Sequence, residues 1–296
     1  MKGVEVVHTR VFAASQDGGN PCPVIPFGDN LTDHQMQRLA RKFGFDTAFI
    51  LYPRTKSADI RVRYFVPDHE MGVSGHATIA AITIALLKNR LKCDRITVET
   101  MTGLFEVEST RSEDGIIVTL AQNKPVFGSA VAPDLVARAL AIDPKRIVLT
   151  GSPIQSVSVS RAKLVIPLED SRVLNSLTPD YEALWRLCDQ FRVTGLYPFT
   201  RQTDKTNAQV EARQFPQRAG FPEDAATGVA AAALGAYLAT YDHKCQTGRY
   251  EFHVAQGYAM QTPSLIETFI ECADGKVTRI AIRGRAQVLG REWVDV

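Results

Sequence analysis

Two short segments of the chain combine residue types that suit the binding of negative charge. Each contains a glutamate, three further residues, a hydroxyl residue and a glycine, and each then enters a stretch of small apolar residues: Glu70 to His76 and Glu223 to Val229. The first N–H groups of a helix lack intrahelical partners, and the helix start carries partial positive charge. Glycine lets a ligand approach that backbone closely. Ser74-Gly75-His76 and Thr227-Gly228-Val229 are therefore predicted to bind a carboxylate or a developing enolate.

Proton transfer at such a site also needs an acid–base group. Five side chains in or near these loops could supply one: Asp46, Glu70, His76, Glu223 and Asp224. A carboxylate or imidazole in a closed, dry cleft can have its pKa moved toward neutrality, which suits general acid–base catalysis. Each candidate also has a structural alternative, as a buried histidine, a turn residue, or a carboxylate bonded to backbone N–H groups.

Composition and the other motifs narrow the function classes. A net charge of +2 with scattered Lys and Arg favours neither nucleic acid nor a membrane surface as a partner. Five cysteines without a C-x-x-C pair argue against a disulfide framework and a zinc ribbon. The sequence lacks G-x-G-x-x-G, P-loop, H-E-x-x-H and G-x-S-x-G motifs. We therefore expect no metal and no organic cofactor.

The apolar stretches also bear on location. The first residues show no apolar signal core, and the longest apolar runs are shorter than a bilayer span requires. We therefore expect a cytoplasmic protein.

The elements that position these residues follow from hydrophobic periodicity. Amphipathic helices are predicted at 30–43, 133–141 and 179–190, and helices that are apolar on every side, and so buried, at 76–89 and 229–240. Residues 125–128 are predicted to be a connector. Alternating or continuous apolar runs predict strands near 4–12, 24–25, 47–51, 60–66, 95–100, 104–109, 115–120, 147–150, 157–160, 164–166, 210–215, 250–255, 264–272 and 277–288.

The two helix starts belong to a longer internal repeat. Arg63-Tyr64-Phe65 precedes the first and Arg213-Gln214-Phe215 the second, and a proline follows each triplet. Coincidence between two alanine-rich helices is the alternative. If the repeat is real, the fold is α+β, with two similar domains that each wrap a mixed sheet around one buried helix. Their predicted limits are 1–123 and 124–296, with the alternative that the last strand crosses back to the first half. The active site is expected in the cleft between them.

These residues resemble the PhzF-like (phenazine biosynthesis) isomerases, which have a diaminopimelate epimerase-like fold. The resemblance covers nearly the whole chain. It rests on Gly19-Asn20-Pro21, Thr47-Ala48-Phe49, Arg63-Tyr64-Phe65-x-Pro67, Gly75-His76-Ala77-Thr78, Glu223-Asp224-x-Ala226-Thr227-Gly228 and Gln256-Gly257. It implies two barrel-like halves around central helices, a homodimer, and cofactor-independent proton transfer on a small anionic (carboxylate) substrate.

The resemblance also implies residue roles. In that family a glutamate just before the Thr-Ala-Phe element carries the proton, and Asp46 holds that position here. His76 and Asp224 match residues that bind and orient the substrate, and with Asp46 they form the predicted catalytic set. The predicted substrate-binding residues are Asn20, Ser74, Gly75, Thr227, Gly228 and Val229.

Three departures from the family pattern refine the expectation. Asp46 is one methylene shorter than the family glutamate, and Val229 replaces a serine of the phenazine enzyme. Ser74 stands where epimerase-type relatives have a cysteine, and since neither helix start has a thiol, a thiol-based racemase is disfavoured.

The predicted function is a PhzF-like isomerase acting on a small carboxylate, for example a dihydro-hydroxyanthranilate-type compound. Two alternatives remain open: a non-thiol epimerase of a small amino or hydroxy acid that uses Asp46 and His76, and a catalytically impaired homologue that only binds a small molecule.

Overall fold

The computed structural model describes residues 3–295, and its internal contacts divide these residues into two compact units. Unit 1 holds the chain up to residue 121 together with the residues from 283 onward, and unit 2 holds residues 122–282. Whether the units are independent domains, as the predicted limits assume, stays a prediction, and so does a cleft between them.

Unit 1 is a β-barrel around one buried helix. Its strands pair in the order β17–β1–β2–β3–β4–β6–β7–β8, β5 pairs with β4, and β8 pairs back with β17; β2–β3 and β4–β6 are parallel. The elements are β1 (Val4–Val11), β2 (Asn20–Ile25), α1 (Asp33–Phe43), β3 (Thr47–Leu51), β4 (Ile60–Phe65), β5 (Glu70–Met71), α2 (Gly75–Leu87), β6 (Arg95–Thr100), β7 (Gly103–Ser112), β8 (Gly115–Gln122) and the later part of β17 (Lys276–Val294).

The two helices of unit 1 differ as their sequences predict. Every residue of α2 from His76 to Leu86 is buried, and the helix packs against β1, β2, β3 and β4. The amphipathic α1 instead covers the outside of the sheet, where Met36, Leu39 and Ala40 join an apolar cluster. Thr32 and Gln35 form a capping box at its start, which satisfies two N–H donors.

Unit 2 repeats this plan with more helices. Strands β9–β10–β11–β12 are neighbours, β12 pairs with β13 and β14, β13 pairs with β15, and β15 with β16. The elements are β9 (Val126–Ala130), α3 (Pro133–Leu140), a 3₁₀ turn (Pro144–Arg146), β10 (Gln155–Ser158), β11 (Lys163–Pro167), α4 (Ser171–Asn175), α5 (Tyr181–Phe191), β12 (Gly195–Thr200), β13 (Val210–Ala212), β14 (Phe215–Pro216), α6 (Gly228–Tyr241), β15 (Gly248–Gln256), a second 3₁₀ turn (Tyr258–Met260), β16 (Ser264–Ala273) and the first part of β17.

The buried helix of unit 2 is α6, which contacts β10, β11, β15 and β16. Its residues from Ala230 to Ala239 are all buried. Helices α3, α4 and α5 contribute to a second apolar cluster with β11 and β12. In the described part of the chain, no helix combines the length and apolar character that crossing a membrane would require.

The strand registers confirm that the two units are similar folds. In unit 1, Phe65 pairs with Thr47, and in unit 2, Phe215 pairs with Leu196. The next parallel pairs also correspond, since Ile60 lies opposite Val98 and Val210 opposite Val254. In each unit the buried helix then follows a short strand or bridge, formed by β5 in unit 1 and by Gln214 with Asp224 in unit 2.

Several predicted elements were wrong. Residues 147–150 are not a strand, because Ile147 makes only an isolated bridge with Leu168 after the 3₁₀ turn. Residues 125–128 were predicted to be a connector but belong largely to β9, which pairs with β10. The sequence reading also missed β12 and the short helix α4. Finally, β17 continues to Val294, and its last residues pair with β1 from Val4 to Val11.

Gly235 of α6 packs so closely against β16 that its substitution tests the fold. A β-carbon at Gly235 would lie 2.8 Å from Thr268 Oγ1 and 3.1 Å from Ile270 Cδ1 on β16. We expect Gly235→Val to lower the free energy of unfolding by about 1–3 kcal/mol, because overpacking forces strand and helix apart. Urea unfolding of the two proteins measures the difference.

Gly290 provides the matched control, because a β-carbon there would have no neighbour within 4 Å. Gly290→Val should change the unfolding free energy by less than about 0.5 kcal/mol. Equal effects of the two substitutions would contradict the packing described for α6.

Candidate active site

Asp46 lies in the short link between α1 and β3. Gly44 ends α1 in the left-handed conformation, with φ of 74°, which turns the chain toward the sheet. Asp46 follows two residues later, immediately before β3, and is only 8% exposed. Burying a carboxylate is costly unless polar groups surround it. The neighbours of Asp46 therefore decide what it can do.

Ser74 supplies one of these neighbours. It is the N-cap of α2, yet its side chain makes no cap hydrogen bond to the helix. The Ser74 hydroxyl instead donates to Asp46 Oδ2 at 3.0 Å. An N-cap hydroxyl usually satisfies an N–H group of the first turn. Here the first turn of α2 receives no such bond from Ser74, and a buried carboxylate lies at the positive end of the helix.

His76 completes a group of three contacting side chains. Its Nδ1 lies 3.4 Å from Ser74 Oγ, and its Nε2 lies 3.6 Å from Asp46 Oδ2. The second separation is longer than a hydrogen bond. The histidine is buried, as is Ser74. The structure thus brings together three predicted residues, Asp46, Ser74 and His76, around Gly75, the first residue of α2.

A second layer of hydrogen bonds holds this helix start in place. Thr78 Oγ1 donates to the Ser74 carbonyl at 2.7 Å and lies 2.7 Å from the hydroxyl of Tyr64 on β4. Tyr64 and Thr78 are both fully buried. Burial raises the pKa of Tyr64, so this phenol stays protonated at neutral pH. The backbone of Ser74 is therefore anchored to the sheet while its hydroxyl reaches Asp46.

Strand β2 contributes Asn20 and a residue that the sequence reading had not considered. Asn20 begins the strand, is buried, and pairs with Val11. Cys22 is fully buried, and its pKa is raised well above the usual range by burial and then by the negative charge of Asp46. A thiol held in its protonated form is a poor acid–base group near neutral pH. Its position after Gly-Asn-Pro was the only sequence signal for it.

The start of α6 in unit 2 has a related arrangement. Thr227 is its N-cap and also makes no side-chain cap bond to the helix. The Thr227 hydroxyl donates instead to Asp224 Oδ2. The backbone N–H of Asp224 donates to the Gln214 carbonyl at 3.0 Å, which ties the loop to the sheet. The structure therefore brings Asp224 and Thr227 together beside Gly228.

Gln256 organises this second helix start. It is fully buried at the end of β15, and its Oε1 accepts from the Tyr197 hydroxyl at 2.9 Å and from the Thr227 N–H at 3.3 Å. Its Nε2 donates to the Asp224 carbonyl at 2.7 Å. Gln256 thus fixes both the carboxylate-bearing loop and the helix cap. The sequence indicated it only through the Gln-Gly match to the family.

Val229 differs from its counterpart in unit 1. It is half-buried in the first turn of α6, one residue after Gly228. The repeat places it at the position of His76, so unit 2 has no imidazole there. An isopropyl group neither donates nor accepts a hydrogen bond.

The two repeated glutamates have a different role from the aspartates. Glu70 accepts two bonds from Arg63 at 2.7 and 2.6 Å, and Glu223 accepts two from Arg213 at 2.9 and 2.6 Å. Bidentate guanidinium–carboxylate pairs are strong and geometrically specific. Each arginine also lies over the phenylalanine two residues later, at 5.1 and 4.8 Å from the ring centre. The repeated Glu, Arg and Phe side chains therefore have a structural role, because their contacts hold each loop in place.

Among residues 3–295, no group of three or more His, Cys, Asp or Glu side chains is arranged to hold a metal ion.

Comparison with known proteins gives consistent matches over almost the full length. A family model described as phenazine biosynthesis-like protein (PhzC-PhzF) matches residues 9–291. The chain is 31% identical to an uncharacterised isomerase of Clostridium acetobutylicum, over 94% of this chain and 93% of that protein. It is 28% identical to a trans-2,3-dihydro-3-hydroxyanthranilate isomerase of Pseudomonas chlororaphis, over 95% of each chain.

Solved structures agree with the fold. The crystal structure of a PhzF-family protein of Bacillus anthracis has a TM-score of 0.91 at 27% identity and covers both chains completely. A probable proline racemase of Agrobacterium radiobacter has a TM-score of 0.67 at 14% identity, over 99% of this chain and 93% of that chain, and shows a shared fold alone. The expected α+β architecture of the epimerase type is confirmed.

The hydrogen bonds of Gln256 allow a direct energetic test. We expect Gln256→Leu to lower the free energy of unfolding by about 1–3 kcal/mol, because it leaves buried polar groups of Tyr197 and Thr227 without this partner. Combined with Tyr197→Phe, the two effects should be non-additive by at least about 0.5 kcal/mol, since they remove the same bond. Urea unfolding of the wild type, the two single variants and the double variant measures the coupling.

Tyr237→Phe is the control for that cycle, because Tyr237 donates to the Pro153 carbonyl and not to Gln256. Its effect should add to that of Gln256→Leu within about 0.5 kcal/mol. Additivity in the Tyr197 cycle as well would show that Gln256 does not organise the helix start.

Proposed function

The chain belongs to the phenazine biosynthesis-like (PhzC-PhzF) family and is an isomerase, and we propose that it moves a proton on a small carboxylate substrate with Asp46 as the proton carrier. One observation carries this proposal. Asp46 is a buried carboxylate held by the cap hydroxyl of α2 and in contact with His76. A carboxylate in such surroundings suits general acid–base catalysis.

In the proposed reaction, the Asp46 carboxylate removes a proton from a substrate carbon. The electron pair of the broken C–H bond moves into the adjacent π system, and the negative charge spreads toward the substrate carboxylate. The carboxylic acid formed on Asp46 then returns the proton to a different carbon, so no group is gained or lost. Backbone N–H groups at a helix start are suited to stabilise the intermediate charge.

The remaining predicted residues are proposed to bind the substrate. Asn20, Ser74 and Gly75 are proposed to bind the substrate beside Asp46. His76 is proposed to orient the carboxylate of Asp46. Asp224, Thr227, Gly228 and Val229 are proposed to contribute the other contacts. What supports their role is that the cap hydroxyl at each helix start bonds an aspartate and leaves the first turn without its usual cap.

The contact between His76 and Asp46 weighs against the epimerase alternative. Inversion at a carbon with two bases requires an acid and a base on opposite faces of that carbon. The His76 Nε2 and Asp46 Oδ2 atoms are 3.6 Å apart, which leaves no room for a substrate carbon between them. A thiol pair is equally unsuited, since neither helix start has a cysteine: Ser74 precedes α2 and Thr227 precedes α6. A single carboxylate that takes and returns one proton is the better match.

The names of the relatives support a proposal for the substrate class. The Pseudomonas chlororaphis relative is named for trans-2,3-dihydro-3-hydroxyanthranilate, so cyclic amino and hydroxy acids of that type are the first candidates. We propose that the substrate presents an apolar edge to Val229, since this side chain cannot hydrogen-bond a polar group. A homodimer and a cytoplasmic location stay predictions from the sequence.

The test is deuterium exchange into candidate cyclic acids, followed by proton NMR in D2O. We expect the wild-type protein to exchange a carbon-bound proton and Asp46→Asn to lose about 100- to 10,000-fold of that rate, since the amide cannot accept the proton. Asp46→Glu should retain about 1–10% of the rate, because the added methylene displaces the carboxylate by roughly 1 Å.

Asp17→Asn is the matched control, because the Asp17 side chain is 94% exposed. It should leave the exchange rate unchanged. Undiminished exchange in Asp46→Asn would remove Asp46 from the mechanism. Stereochemical inversion seen by chiral chromatography would favour the epimerase, and a ligand that raises the melting temperature but never exchanges would favour the binding homologue.

A further inference from the structure

Two buried thiols of unit 2, those of Cys245 and Cys272, lie in direct contact. Their Sγ atoms are 2.7 Å apart, and the two residues are 3% and 4% exposed. A disulfide bond is about 2.05 Å long, so the sulfur atoms need to approach by only roughly 0.7 Å to be joined. Both cysteines are free thiols in the structure. The pair takes no part in the proposed reaction, so its role is a separate question.

Strand β16 fixes the direction of the Cys272 side chain. Buried and half-buried residues alternate along this strand, and Cys272 lies on the buried side together with Thr268 and Ile270. A β-carbon at Gly235 of α6 would lie 2.8 Å from Thr268 Oγ1 and 3.1 Å from Ile270 Cδ1, so α6 packs on that side. Cys272 also lies opposite Gly248, the first residue of β15. The strand thus directs its thiol toward the side on which α6 packs.

Cys245 comes from the link between α6 and β15. Its backbone N–H donates to the Ala239 carbonyl at 2.8 Å, so the link folds back onto the last turn of α6. Lys244 and Cys245 have φ of 50° and 47°, a left-handed conformation that such residues keep only where their surroundings hold them. The Tyr250 hydroxyl donates to the Gln246 carbonyl at 2.9 Å and fastens the link to β15. The backbone therefore sets the position of this thiol independently of the strand that carries Cys272.

The two thiols differ in their access to solvent. The chain neighbours of Cys245, Lys244 and Gln246, are exposed, so this thiol lies directly beneath the surface. Cys272 lies within a strand, and burial together with the neighbouring Cys245 raises its pKa to about 12. A thiol with that pKa is almost wholly protonated near neutral pH and is a poor nucleophile. Cys245 is therefore the thiol that a small oxidant meets first.

We propose that Cys245 and Cys272 are a redox modification site, at which hydrogen peroxide produces a reversible disulfide between β16 and the link after α6. The Cys245 thiolate attacks one peroxide oxygen, the O–O bond breaks, and the released hydroxide takes up the proton that the thiol gave up. The Cys272 sulfur then attacks the sulfenic acid sulfur, the S–O bond breaks, and the second hydroxide leaves as water with the proton of Cys272. Two thiols thereby lose two electrons, and one hydrogen peroxide is reduced to two molecules of water.

The position of this bond in the fold determines its effect. It joins residues 27 positions apart, and a cross-link of this kind stabilises mainly by restricting the unfolded chain. The bond lies beyond the C-terminal end of α6, whereas Thr227 and Gly228 lie at the start of this 14-residue helix, roughly 20 Å away along its axis. Oxidation is therefore expected to stabilise unit 2 without altering the residues assigned to the active site.

Peptide mapping of the wild-type protein tests the pair directly, without a substrate and without any substitution. The reduced protein is treated with hydrogen peroxide, alkylated in denaturant and digested. We expect a peptide pair linked through Cys245 and Cys272, which dithiothreitol separates. Exposed Cys93 reports that the oxidant acted, and Cys188, whose pKa burial raises to about 12, should remain available for alkylation. Oxidation of Cys93 while Cys245 and Cys272 are both alkylated, or sulfinic acid at Cys245 without the linked pair, would overturn the proposal.

Two serine variants test the order of the two steps. In Cys272→Ser the reaction should stop at the sulfenic acid of Cys245, which dimedone traps, whereas in Cys245→Ser the remaining Cys272 should stay unmodified. Dimedone trapped on Cys272 in the second variant and absent from Cys245 in the first would contradict the assignment of Cys245 as the attacking thiol.

The melting temperature measures the stabilisation. Oxidised wild-type protein should melt about 4–10 °C above the reduced protein, because the disulfide restricts the unfolded chain. Cys272→Ser is the control, since it cannot form the bond and should show no such rise after peroxide treatment. A protein that carries the linked pair but melts no higher than its reduced form would contradict the stabilising role.

Discussion

The structure depends on burying two helices that have no polar face. Helices α2 and α6 are enclosed by strands on all sides, which only small and apolar side chains allow, as the close contact between Gly235 and Thr268 illustrates. A buried helix still has N–H groups at its start that need a partner. Ser74 and Thr227 are the natural caps, yet each gives its hydroxyl to an aspartate. The fold thereby produces two helix starts at which a cap hydroxyl bonds an aspartate, and the partial positive charge of a helix start favours such an anion.

The internal repeat explains the scaffold better than it explains the chemistry. The bidentate Arg63–Glu70 and Arg213–Glu223 pairs occupy matching positions and fasten matching loops. The aspartates do not match, because Asp46 precedes β3 whereas Asp224 comes from the loop before α6, one residue after the repeated glutamate. The same contact between a cap hydroxyl and a carboxylate thus arises from different elements in the two units. The repeat thus accounts for the helix starts, whereas the carboxylates stand at positions that are not equivalent.

This difference also explains what could be predicted from the sequence. Thr227 lies three residues after Asp224, so their contact is local and readable from spacing, whereas Ser74 lies 28 residues after Asp46 and meets it only through the topology. Buried helices were predictable because they are apolar on every side. Strand β12 was missed because Gly195 and Pro198 are residues that normally interrupt a strand.

Pro198 shows why that rule failed here. It lies opposite Ile166 in the parallel pair with β11, and its carbonyl accepts from the Arg213 N–H. A parallel strand buried on both faces needs no alternation of polar and apolar residues, so hydrophobic periodicity gave no signal for β12 either. Lys163, the first residue of β11, shows a related limit: a lysine beside a short apolar run suggests the exposed end of a strand, and only the tertiary structure reveals that it is buried.

The two aspartates therefore need different surroundings if one is to carry a proton and the other to stay charged. Near Asp46 lie a hydroxyl, an imidazole and a protonated thiol. Near Asp224 lie the cap hydroxyl of α6 and the Gln256 amide, and Val229 stands where unit 1 has His76. The two carboxylates thus have different neighbours, and this asymmetry suits a reaction in which a single carboxylate takes and returns the proton.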